Sequence, residues 1–140
     1  MLTIRLANSE DVEIVAKHDT HISKNLVKDK VLRNEIYVVY DTDRFVGWLR
    51  YGLFWDTIPF MNMLEILPGY QGKGIGRQLV SFWEAQMKAH GYKMVMTSTQ
   101  QNEHAQHFYS AVGYIGVGGF IQSCGVVIGE SYEIIFMKDL

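Results

Sequence analysis

Gln71-Gly72-Lys73-Gly74-Ile75-Gly76-Arg77 lies between a strand-like apolar run and an amphipathic helix. The run covers residues 60–67 and is stopped by Pro68-Gly69. On the other side Ile75, Leu79, Phe82, Trp83 and Met87 fall at i, i+4, i+7, i+8 and i+12, the spacing of one helical face. His90 and Gly91 have the character of a helix end, a basic last turn followed by a C-cap glycine. Glycines at 72, 74 and 76 let the main chain bend where other residues resist, and let a ligand approach it. The first N–H groups of the helix lack intrahelical partners, so a strand-glycine-helix junction is an anion site. Lys73 and Arg77 add positive charge at its rim.

The spacing narrows the anion. A Walker loop requires G-x-x-x-x-G-K-[ST], and Lys73 has neither the glycine before it nor the hydroxyl residue after it. A dinucleotide fingerprint runs G-x-G-x-x-G, whereas this loop runs G-x-G-x-G into Arg77. A phosphate ligand of another kind is expected.

Outward from the loop, residues 2–6 alternate as a first strand, and Ser9-Glu10-Asp11 has the form of a helix start. Two helical stretches are expected around residues 10–18 and 22–34. Residues 36–40 and 45–51 flank the polar turn 41–44 as a hairpin, and a loop over 52–59 follows. Residues 94–99 are a further strand, and a second helix begins near Asn102 and stops at Gly113. Strands over 114–117 and 132–137 close the chain, with glycines at 116, 118, 119, 125 and 129 marking an irregular connection. The expected fold class is α+β, a single domain over residues 1–140 with a mixed, mainly antiparallel sheet flanked by helices.

Composition sets outer limits. The 140 residues carry a formal charge of −2, so no basic surface for nucleic acid is expected. Phosphates must be held by local donors. Cys124 is the single cysteine, which excludes an internal disulfide and a thiolate-built zinc site. His18/His21 and His104/His107 are i, i+3 pairs without a visible third ligand, so no metal is expected. The first residues, Met1-Leu2-Thr3-Ile4-Arg5, lack a signal-peptide pattern, and no run reaches the roughly 18 apolar residues that span a bilayer. A cytoplasmic protein without membrane partners is the expectation.

Gln71-x-x-Gly74-x-Gly76 resembles the [QR]-x-x-G-x-[GA] signature of the GNAT superfamily of N-acetyltransferases. Leu64-Glu65-Ile66-Leu67-Pro68-Gly69-Tyr70 is similar to the strand preceding that loop. Asn102-Glu103-His104-Ala105-Gln106-His107-Phe108-Tyr109, leading to Gly113-Tyr114, resembles the family's N-x-x-A-x-x-[FL]-Y…G-[FY] motif. The resemblance implies a GNAT-like acyl-CoA N-acyltransferase fold with acetyl-CoA as acetyl donor and no metal. It implies that main-chain groups of Leu64, Glu65 and Ile66 pair with the pantetheine arm. Gln71, Gly72, Lys73, Gly74, Ile75, Gly76 and Arg77 would hold the pyrophosphate. Asn102, Ala105, Phe108 and Tyr109 would flank the pantetheine and thioester, with Tyr109 as the catalytic group beside the leaving sulfur.

The implied reaction moves an acetyl group to a primary amine by direct attack in a ternary complex. The acceptor is a small-molecule or peptide amine, and a homodimer is common in such families. Glu65, Asp56, His18 and His21 are candidate bases among which the sequence does not choose, Phe60 standing where some relatives place an ionisable group. Trp48, Trp55 and Phe120 are candidate walls of an acceptor pocket. A non-catalytic acyl-CoA-binding sensor or interaction module on the same fold is the alternative.

Overall fold

The structure, a computed structural model, describes residues 1–101, 104–121 and 132–140. Among these residues seven strands form one mixed sheet in the order β1-β2-β3-β4-β5-β7-β6. They are β1 (Leu2–Leu6), β2 (Ile36–Asp41), β3 (Arg44–Phe54), β4 (Ile58–Ile66), β5 (Met94–Gln100), β6 (Ile115–Ile121) and β7 (Tyr132–Asp139). Four helices accompany them: α1 (Val12–His18), α2 (Lys24–Leu32), α3 (Ile75–Ala89) and α4 (Ala105–Ala111). The expected α+β class, a mixed sheet with helices, is what the chain forms. Its contacts gather into two compact units, Met1–Gly52 with Asn62–Gln86, and Leu53–Met61 with Met87–Leu140. No helix among the described residues is long and apolar enough to cross a membrane.

In the first unit β1, β2 and β3 run antiparallel, and the Leu67 amide donates to the Val46 carbonyl at 2.8 Å where β4 meets β3. Period-two alternation divides β2 and β3 between two cores. Ile36, Val38 and Trp48 face α1 and α2, against Val12, Val15, Val27 and Val31. Tyr37 and Tyr51 project to α3, where Tyr37 meets Phe82 edge-on at 5.8 Å and Tyr51 lies 5.7 Å from Trp83. The α3 stripe is buried as its spacing demands, with Leu79 and Trp83 at 0% exposure.

The helix start expected at Ser9-Glu10-Asp11 is present as a 3-10 turn over Ser9–Asp11 that precedes α1, and Asn8 is its cap. The Asn8 side chain accepts from the Glu10 amide, while Asp11 accepts from the Asn8 amide at 2.8 Å, a reciprocal capping box. Asp11 also takes both ends of the Arg5 guanidinium, at 2.7 and 3.1 Å, and the Tyr40 hydroxyl at 2.7 Å. Burial pulls its pKa upward, but the bonds from Arg5, Asn8 and Tyr40 outweigh it and hold the carboxyl below its usual range. Burial and the bond to Asp11 push Tyr40 up to about 12.

In the second unit the tip between β3 and β4 is a two-residue turn, not the loop expected over 52–59. The Thr57 amide donates to Phe54 at 3.1 Å, and Trp55 and Asp56 are both left-handed, at φ 54° and 60°. That is the twist a tight hairpin requires, reached here without glycine. β5 pairs antiparallel with β7 and β7 with β6. β6 runs through Gly116, Gly118 and Gly119 to Ile121, so those glycines lie in a strand, with a register shift between Gly116 and Gly118. Gly125 and Gly129 lie outside the described residues.

Because a carboxylate with a lowered pKa contributes stability above its unfolded value near 4 and loses it as pH falls, Asp11→Asn has a signed pH signature. The variant is expected to lose about 1–3 kcal/mol at pH 7. Its gap to wild type should narrow as pH drops below about 4. Urea titrations of both proteins across this range check it, and a pH-independent gap would contradict it.

Candidate functional site

Beyond Ile66 the chain makes a turn over residues 67–70, closed by the Tyr70 amide on the Leu67 carbonyl at 3.1 Å. Pro68 and Gly69 take its central positions, with Gly69 at φ 93° supplying the positive dihedral that such a turn places third. The Gln71 side-chain amide then donates to the Ile66 carbonyl at 2.7 Å and ties the loop to the strand end. Gly72 and Gly74 stand at φ 76° and 80°, and a Cβ on either would meet no atom within 4 Å. Packing therefore does not demand glycine at either position; the backbone conformation does. Gly76 differs from its expected part: it lies in the first turn of α3 and takes no positive φ.

The first intrahelical bond of α3 runs from the Gln78 amide to the Gly74 carbonyl at 3.1 Å. The amides of Ile75, Gly76 and Arg77 are left without intrahelical acceptors. No acidic residue occupies that turn. Lys73 and Arg77 are exposed, and Lys73 Nζ sits 5.6 Å from the centre of the Tyr70 ring. Free donors, the positive end of a 15-residue helix and two cations converge on one open loop.

A pocket of about 290 Å³ lies in the same unit, lined by His18, Thr20, His21, Trp48, Met63, Glu65 and Leu67. Met63 and Glu65 are alternate residues of β4, and Leu67, one residue past its end, continues the spacing, so they share a face, the one packed toward α1 and α2. This register settles which way Glu65 points. Leu64 and Ile66 take the other face, and the β4 main chain passes so close to β3 that a Cβ at Gly47 would lie 2.4 Å from the Glu65 carbonyl. Gly47 is glycine for that approach.

The turn after α1 is pinned by a buried cluster not evident from the sequence. Asp19, 1% exposed, accepts from Trp48 Nε1 at 3.1 Å and from Arg50 Nε at 2.9 Å, and its other oxygen accepts from the His21 amide at 3.2 Å. A buried carboxylate is tolerable only with such partners. The cluster fixes the edge of Trp48 and the start of the pocket wall together. His18 stacks on Phe45 at 5.4 Å and tilts toward Trp48 at 6.2 Å. An arginine inside an otherwise apolar strand was the one signal in the sequence for this pair.

In the second unit the β4–β5 ladder is two pairs long, Phe60↔Met96 and Met61↔Thr97, although β4 runs on to Ile66 and β5 to Gln100. The Thr97 hydroxyl donates to the Met61 carbonyl at 2.9 Å where the ladder stops. Ala105, Phe108 and Tyr109 share α4. Tyr109 is 7% exposed, its ring against Phe108 at 5.4 Å, Tyr114 at 5.7 Å and Phe136 at 5.9 Å. Asn102 lies outside the described residues. Asp56 and Trp55 sit at the hairpin tip and Phe120 is exposed on β6, while Trp48 lines the 290 Å³ pocket of the first unit. Among the described residues no three His, Cys, Asp or Glu side chains gather as a metal site.

The chain matches the Acetyltransferase (GNAT) family over residues 5–114. Among solved structures it resembles Ard1 from Thermoplasma volcanium, with a TM-score of 0.85 and 15% identity over 99% of this chain and 97% of that one. Arabidopsis thaliana Naa50, in complex with the bisubstrate analogue CoA-Ac-MVNAL, gives a TM-score of 0.82 at 17% identity, with 99% of each chain covered. A GNAT family acetyltransferase from Elizabethkingia anophelis with acetyl-CoA bound gives 0.77 at 18% identity, over 99% of this chain and 98% of that one. At such identities the structural likeness is one of fold. The family match is broader in meaning, because it spans most of the chain and takes in both the glycine loop and α4. The chain belongs to the GNAT family of acetyltransferases.

Proposed function

We propose that the protein is an acetyl-CoA-dependent N-acetyltransferase that moves an acetyl group to a primary amine by direct attack in a ternary complex. The observation that carries this reading is the N-terminus of α3: unpartnered amides at Ile75, Gly76 and Arg77 behind glycines whose outer side is open. Those donors suit a pyrophosphate, with Gln71, Gly72, Lys73 and Gly74 completing the loop. The shortness of the β4–β5 ladder suits main-chain pairing of Leu64, Glu65 and Ile66 with the pantetheine arm. Naa50 with its CoA-peptide analogue and the Elizabethkingia protein with acetyl-CoA support that cofactor on this fold. Asn102 is assigned to the pantetheine side, and Ala105 and Phe108 to the thioester end, by their place in the motif.

Acetyl-CoA supplies an activated thioester, and the residues of the chain do the rest. Tyr109 is assigned to the leaving sulfur. A phenol titrates near 10 and a thiol near 8.5, so full proton transfer is uphill by roughly 2 kcal/mol. Tyr109 therefore acts first by hydrogen bonding to the developing thiolate, with the proton following as charge builds. The acceptor occupies the pocket beside β4, where Glu65 is the base that the geometry supports best. Its carboxylate lines the pocket and, among the described residues, has no ion-pair or hydrogen-bond partner.

Acetyl-CoA is expected to raise the melting temperature of the wild-type protein. Gly74→Val should abolish the rise, since it forces a branched side chain into a left-handed position at about 1–2 kcal/mol and covers the open loop. An unchanged shift would contradict the pyrophosphate assignment. Tyr109→Phe keeps the packed ring and removes only the hydroxyl. It is expected to lower kcat by about 10²-fold or more while acetyl-CoA affinity changes less than about threefold. Equal losses in the two quantities would argue against a leaving-group role. A protein that binds acetyl-CoA but releases no thiol with any amine would be a binding module.

A further inference from the structure

The pocket beside β4 has a chemistry that narrows the acceptor, given the proposed N-acetyltransferase activity on which this inference rests. Among the described residues Glu65 is the one carboxylate of its lining, beside His18 and His21, and neither Lys nor Arg lines it. Arg50, which shares Asp19 with Trp48, is buried and bound to it through Nε at 2.9 Å, which leaves it unavailable to a ligand anion. Trp48 spends its indole N–H on the same Asp19, at 3.1 Å, so what it offers the pocket is ring surface. His18, stacked with Phe45, extends that aromatic wall, and Met63 and Leu67 supply the apolar remainder.

One free carboxylate opposite aromatic faces holds one organic cation. A second negative charge on the ligand would stand near the exposed Glu65 with no Lys or Arg of the described lining to meet it, and such a like-charge approach is unfavourable. A second positive charge would find no second carboxylate among the described lining residues. The volume, about 290 Å³, is at the small end of pockets that take small molecules, which suits a single ring or short chain.

We infer that the pocket selects a primary ammonium group with an apolar substituent and no carboxylate on the carbon bearing the nitrogen. Free amino acids are rejected. The accepted chemistry occurs in simple alkyl or arylalkyl amines and at peptide N-termini, where the carboxyl is an amide.

The matched probes are phenylalaninamide, phenethylamine and phenylalanine, the first and last differing only in amide against carboxylate. Binding is followed at pH 6, where the amine of every probe is protonated, with CoA present, through the methyl resonance of Met63, and turnover at pH 8 through thiol release. Phenylalaninamide and phenethylamine are expected to bind at least ~30-fold more tightly than phenylalanine. Glu65→Gln should weaken both cations by about tenfold and narrow the gap to phenylalanine. Phenethylamine against Ala-Phe-amide separates the free-amine source from the peptide source. Equal binding of phenylalanine and its amide, no binding of any probe, or cation binding indifferent to Glu65→Gln would each overturn the inference. Selective binding without thiol release would uphold the pocket's selectivity and overturn the proposed acetyl transfer instead.

Discussion

Three amides at the start of α3, those of Ile75, Gly76 and Arg77, cannot find carbonyls within their own helix, and the surrounding chain leaves them reachable. Gly74 accepts the first helical bond while standing in a left-handed conformation, so the strand can turn into the helix without a side chain over the opening. Gln71 anchors the loop back onto Ile66, and the buried stripe of Leu79 and Trp83 fixes the axis along which the helix dipole acts. With no acid in the first turn, nothing within the helix competes for the donors. An exposed anion is the natural partner of such an arrangement, and a pyrophosphate offers enough oxygens to use it.

β4 connects this cradle to the acceptor chemistry through alternation alone. Its Leu64 and Ile66 face one core, while Met63, Glu65 and Leu67 face the other and line the pocket. In the proposed reaction the main chain between them serves the donor and the side chains serve the acceptor, so one strand can position both. The buried Asp19–Arg50 pair secures the opposite wall. Its net contribution to stability is small by general experience with buried ion pairs, and its consequence here is the fixed orientation of Trp48 and of the turn carrying His21.

The sequence made the junction legible because its signals are local: alternating glycines, a Pro-Gly stop, and an amphipathic stripe at helical spacing. The strand order and the Glu65 orientation were not legible, since a one-residue change of register would reverse the face and no local signal sets it. Asp19 and Arg50 are separated by the whole of α2 and β2, so their pairing belongs to tertiary structure. The tight turn at Trp55 and Asp56 escaped notice because left-handed turns are recognised by glycine or asparagine, and neither stands there. The β6 glycines misled in the opposite direction, since they accompany a register shift within a strand and do not end it.

The central claim is that the free amides of α3 hold the pyrophosphate of CoA. Amide proton–nitrogen spectra recorded with CoA and with pantetheine, which lacks the pyrophosphate, test it directly. The amides of Ile75, Gly76 and Arg77 should shift downfield with CoA and stay in place with pantetheine. Equal perturbation by both ligands, or none by CoA at concentrations that saturate binding, would contradict it.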